Sequence, residues 1–140
     1  MYRHILVAYN GTASSTRALT TALRLARESD GEVRVLCVAE TPPPIPPVSG
    51  WELELARLDQ DQCLGGWLMR ASALGRDYAV PVRLAVSAGR PATAIVNYAA
   101  RRRSELVVIG RHARRHWLGW LCGTAVTISR QAPCPVLVVP

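Results

Sequence analysis

Residues 5–31 read Ile5-Leu6-Val7-Ala8-Tyr9-Asn10-Gly11-Thr12-Ala13-Ser14-Ser15, then continue through Ala18, Leu19, Ala22, Leu23 and Ala26 to Asp30-Gly31. The opening five residues form a short, unbroken apolar run, the pattern of a strand covered on both faces. Asn10-Gly11-Thr12 is a turn signal. The spacing of the apolar residues that follow predicts a helix over Ser14 to Arg27, capped by Ser14 or Ser15 and ended by Asp30-Gly31. A second strand is expected from Glu32 to Ala39, where Val33, Val35, Leu36, Cys37 and Val38 cluster.

Outward from this unit the alternation continues. Thr41 to Gly50 holds five prolines, which forbid a helix or a central strand and predict a stiff surface loop. Trp51 to about Arg76 is a long helical stretch with an apolar stripe at Leu55, Leu58, Leu64, Trp67, Leu68 and Ala71. Gly65-Gly66 predicts a kink or break in its middle. Pro81 to Ser87 reads as a third strand. Gly89-Arg90-Pro91 turns into a helix reaching about Arg102, with proline in its first turn as expected. Leu106 to Ile109 is a fourth strand, Thr124 to Gln131 a short helix, and Val136 to Val139 the last strand. Strands alternating with helices predict a doubly wound, five-stranded parallel sheet with helices on both faces, a Rossmann-like α/β fold, in one domain over residues 1–140. Ligands of such sheets bind outside the carboxyl ends of the strands, where the winding reverses.

The 140 residues are 49% hydrophobic and 19% charged, a composition that supports a packed core and argues against disorder. All 17 basic side chains are arginine, against 10 acidic ones, for a net charge of +7. With no lysine there is no Walker-type P-loop and no Schiff-base chemistry. No apolar run approaches the roughly 18 residues that span a bilayer, and Met1-Tyr2-Arg3-His4 leads directly into a strand, so neither membrane span nor signal peptide is expected. Cys37, Cys63, Cys122 and Cys134 match no zinc or CxxC spacing and are expected to be reduced core thiols of a cytoplasmic protein.

The segment after the fourth strand is the most informative for chemistry. It runs Ile109-Gly110-Arg111-His112-Ala113-Arg114-Arg115-His116-Trp117-Leu118-Gly119-Trp120-Leu121-Cys122-Gly123-Thr124. A glycine at the strand end, backbone amides and a threonine hydroxyl at a helix start, and nearby arginines together suit a polyphosphate. Each part also has a plainer reading. The arginines can be a solvated face, His112 and His116 exposed loop residues, and Leu118, Trp120 and Leu121 packing or a subunit contact.

The chain resembles the universal stress protein family, the UspA-like branch of nucleotide-binding α/β proteins (adenine nucleotide alpha hydrolase-like). Tyr2 to Ala8, Val35-Leu36-Cys37-Val38, Gly89-Arg90-Pro91-Ala92 with Ile95, and Ala132-Pro133-Cys134-Pro135-Val136-Leu137-Val138-Val139 match it in order. Gly110, Ala113 and Gly123-Thr124 fall at the spacing of the family's Gly-x2-Gly-x9-Gly-Ser/Thr motif. The resemblance implies ATP, with magnesium, or a related adenine nucleotide at the switch point. The implied contacts are Ala8, Asn10, Val38, Ile109, Gly110, His112, Ala113, Gly123, Thr124 and Ala125. Of these, Gly110, Gly123 and Thr124 would hold phosphates, Val38 would offer backbone groups to adenine, and Asn10 would flank the nucleoside. It also implies a homodimer through Val136 to Val139.

Three departures qualify the pattern. Asn10 stands where the family usually has an acid, so it brings no charge and no base. Ala113 replaces the motif's middle glycine, and the stretch from Gly123-Thr124 to Ala132-Pro133 is about one residue short. The expected function is a regulatory module signalling by conformation or partner choice, with at most slow ATP hydrolysis and no catalytic residue. The alternative is a dimeric interaction protein that no longer binds nucleotide. Arg101-Arg102-Arg103 prompts nucleic-acid binding as a third, disfavoured reading, because no recognition signature accompanies it.

Overall fold

A computed structural model describes residues 2–40, 50–111 and 123–140, with side chains described throughout except at Glu40, Gly50 to Gln62 and Gly123. The elements are β1 (His4–Ala8), α1 (Ala13–Ser29), β2 (Glu32–Glu40), α2 (Gly50–Asp77), β3 (Val82–Gly89), α3 (Pro91–Arg101), β4 (Leu106–Gly110), α4 (Gly123–Gln131) and β5 (Val136–Val139). All four strand pairings are parallel, in the order β3-β2-β1-β4-β5. The winding therefore reverses between β1 and β4.

Two apolar layers sandwich the sheet. Alternation along the strands sends Ile5, Val7, Val33, Val35, Cys37 and Val108 to the face covered by α1 and α2. Leu6, Leu36, Val107 and Ile109 go to the opposite face, under Ile95, Tyr98 and Ala99 of α3 and Ile128 of α4. Central strands buried on both sides explain the continuous apolar runs of β1 and β4.

Local details differ from expectation in instructive ways. The cap of α1 is Thr12, whose Oγ1 accepts from the Ser15 amide at 3.2 Å, while Ser14 and Ser15 are buried inside the first turn. The helix ends where expected, with Asp30 left-handed at φ 54° and its N–H on the carbonyls of Ala26 and Arg27. α2 runs unbroken through Gly65-Gly66. Leu64 and Ala71 are buried, with Trp67 and Leu68 packed beside them, and this tertiary packing outweighs the weak propensity of the two glycines. The Leu55 and Leu58 end of the stripe and the proline-rich loop lie outside the described side chains.

The cysteine expectation needs one correction. Cys37 is buried, and burial pushes its thiol up to about 11; burial also raises Cys134, which is half-covered. Cys63 is exposed on α2 rather than in the core: it lies about 100° round the helix from Leu64, off the stripe of Leu64, Trp67, Leu68 and Ala71 that packs on the core. Cys122 lies outside the described residues.

Charged contacts collect at the amino-terminal end of the sheet. Glu32 meets His4 at 3.3 Å, Arg34 at 3.6 Å and Arg83 at 3.2 Å. Glu105 accepts from the amides of Arg3 and His4. This is the end of the sheet opposite the strand termini where a ligand is expected.

Candidate functional site at the switch point

β1 ends at Ala8, one strand away from β2 and one from β4. Ala8 pairs with Leu36, and the Tyr9 amide donates to the Leu36 carbonyl at 3.0 Å. Because peptide groups alternate along a strand, the Val38 N–H and C=O face the same side as those of Leu36. They reach that side where β1 has already turned away at Asn10. On the other flank Val7 pairs with Val108, so Ile109 and Gly110 end β4 beside the same opening.

Asn10 builds the turn. Its Oδ1 accepts from the Thr12 amide at 3.2 Å and the Thr12 hydroxyl at 2.6 Å, while its own amide N–H donates to Ser15 Oγ at 3.3 Å. The side-chain oxygen is thus engaged in an Asx-type turn that sets the entry to α1. Gly11 follows at φ 75°, a conformation glycine adopts without penalty. A methyl on Gly11 would overlap the indole of Trp67, which brings α2 down onto this turn. The sequence signalled Trp67 only as part of an apolar stripe; its closeness to Gly11 comes from how α2 crosses the sheet.

Gly110 has a structural reason for being glycine. A Cβ there would sit 2.6 Å from the carbonyl carbon and oxygen of Ser14 and 2.8 Å from the Ser15 nitrogen. The end of β4 and the first turn of α1 touch backbone to backbone. The β5 edge closes over the same corner: the Arg111 amide donates to the Val139 carbonyl at 2.6 Å, and Arg17 Nε donates to the Pro140 carbonyl at 2.8 Å.

Of the expected contact residues, Ala8, Val38, Ile109 and Ala125 lie in or against one apolar cluster beneath α3 and α4. Thr124 and Ala125 occupy the first turn of α4, which starts at Gly123. Asn10 and Gly110 face the α1 side of the same opening. His112 and Ala113, with Arg114, Arg115, His116 and the Trp117 to Leu121 stretch, lie outside the described residues. Arg101, Arg102 and Arg103 are exposed, and Arg102 lies 5.8 Å from the Tyr98 ring centroid, a cation–π contact on a solvated face. Among the described residues no group of three or more His, Cys, Asp or Glu side chains could hold a metal ion, and no helix is long and apolar enough to cross a membrane.

A doubly wound parallel sheet with an opening between β1 and β4 defines a class of α/β proteins that take ligands at the strand ends. Comparison makes this specific: the model of the universal stress protein family matches residues 1–140, and the chain belongs to that family. It is 28% identical over 144 residues to Universal stress protein MJ0531 of Methanocaldococcus jannaschii, covering 99% of this chain and 82% of that protein. The structure of UspA from Lactobacillus plantarum superimposes with a TM-score of 0.81 at 23% identity, covering 99% of this chain and 98% of the other. A universal stress protein solved in complex with cAMP superimposes with a TM-score of 0.79 at 18% identity, covering 99% and 97%.

Proposed function

We propose that this chain is a cytoplasmic, non-catalytic regulatory module that binds an adenine nucleotide across the carboxyl ends of β1, β2 and β4. The observation that carries the reading is the convergence of Ala8, Val38, Ile109 and Ala125 on one apolar cluster beside the switch point. Apolar side chains there suit a base, and the Val38 peptide groups suit its hydrogen-bonding edge. The first turn of α4, with its backbone amides and the Thr124 hydroxyl, suits phosphate. Solved relatives with cAMP, AMP and dAMP support an adenine ligand. ATP belongs to the same class; its magnesium would travel with the polyphosphate. Asn10 offers no base to activate water, so hydrolysis is at most slow. β5 suits a homodimer contact: it is an edge strand without charged side chains, with Leu137 and Val138 36% and 40% exposed.

Two observations favour a second reading, in which the fold has kept its shape as a dimeric interaction protein without nucleotide. The packing of Gly110 on Ser14 explains that glycine without a phosphate, and Asn10 Oδ1 is already taken by Thr12. Thermal unfolding with AMP, cAMP and ATP–magnesium separates the two. At ligand concentrations near 100 times Kd the nucleotide reading predicts about 2.7 kcal/mol of added stability. It also predicts a weaker gain in Thr124→Val. No shift with any of the three supports the interaction protein.

A further inference from the structure

Among the described residues the sheet has two open edges, and the outer one at β3 carries features that nucleotide binding and β5 pairing leave unused. β3 pairs, among the described residues, only with β2, over eight residues from Val82 to Gly89. Strand alternation puts Val82, Leu84 and Val86 on the α2 face, in register with Val33, Val35 and Cys37. Yet Leu84 is 42% and Val86 51% exposed. On the other face, a groove of about 230 Å³ opens between the end of β3 and α3. Ser87, Arg90, Thr93, Asn97 and Arg101 line it, and none of its described lining residues is acidic. Arg90 is the N-cap of α3 and makes no side-chain capping bond, so its guanidinium is not spent on the helix.

We propose that the β3 edge is a docking site for an extended segment of a partner protein, added as a sixth strand, with apolar and acidic residues in alternation. A strand laid along this edge sends every second side chain to the Leu84–Val86 side and the others towards the arginine-lined groove. Apolar residues would cover the first side, and carboxylates would meet Arg90 and Arg101 on the second. Charge selects the partner. A second copy would present the same Arg90 and Arg101 with no described acidic lining residue to meet them, so two such edges offer no complementary charge in a chain already at +7.

The test uses the full chain and two capped hexapeptides, one alternating Glu and Val, the other Lys and Val. Hydrogen exchange and fluorescence titration are read for each. The Glu–Val peptide should slow amide exchange within residues 82–89. It should bind at least about tenfold more tightly than the Lys–Val peptide, and lose that margin in the R90E/R101E double variant and at high salt. Both substitutions are at exposed positions, and their unfolding curves check that the fold is retained. Equal binding of the two peptides, protection confined to β5, or outward-pointing amides of Leu84 and Val86 already protected before peptide is added would overturn the proposal. So would a self-associated species that V86K dissociates, since a second copy would then own the edge.

Discussion

The opening between β1 and β4 and the outer edge at β3 are built from the same residue types, yet they obey opposite rules. At the switch point the chain is closely fitted. Gly110 meets the Ser14 carbonyl, Gly11 lies under the Trp67 indole, and Asn10, Thr12 and Ser15 share one set of hydrogen bonds. At the periphery there is room: nothing lies within 4 Å of where a Cβ would stand on Gly65 or Gly66, and Leu84 and Val86 are left partly exposed. A glycine or an apolar residue therefore carries no meaning by type alone. What it touches decides whether it is a structural necessity, a free position or a surface for a partner.

Substitutions sharpen this contrast, and chemical denaturation measures each. The largest effect is expected for Gly110→Ala. Its methyl meets backbone that can move only by separating β4 from α1, for a loss of about 3 kcal/mol. Gly11→Ala combines a positive φ with overlap on Trp67, for about 2 kcal/mol, and should alter Trp67 fluorescence as the indole is displaced. Thr12→Ala removes the cap of α1 and one partner of Asn10, for about 1 kcal/mol. At the open end of the scale the sign reverses. Gly65→Ala and Gly66→Ala should each stabilise the protein by about 0.5–1 kcal/mol, because a better helix former enters empty space. Gly110→Ala proving as harmless as Gly65→Ala would break the comparison.

The architecture was legible in the sequence because its signals are local and repeated. Apolar runs of four or five residues, helical spacing in α1 and α3, and Pro91 in the first turn of α3 all point one way. The family resemblance, drawn from residues spread between Tyr2 and Val139, agrees with the matched family model. What sequence could not reveal depends on contacts between distant segments. Thr12 rather than Ser14 or Ser15 caps α1 because Asn10 engages the Thr12 hydroxyl and amide. α2 survives its two glycines because the sheet holds Leu64 and Ala71. Cys63 looked like a core thiol from its neighbours but falls on the outer side of the helix. The same limit applies at the candidate site. Ala8, Val38, Ile109 and Ala125 share a cluster, while Gly110 and Asn10 have structural duties that no spacing rule exposes.

The central claim is that an adenine nucleotide sits at the reversal of the winding, and amide chemical-shift mapping with AMP addresses it most directly. The account predicts saturable shifts concentrated at Ala8, Val38, Ile109, Thr124 and Ala125, with the Val82 to Gly89 amides unmoved. Shifts confined to the Arg90–Arg101 groove, or a spectrum that AMP leaves unchanged at millimolar concentration, would contradict it.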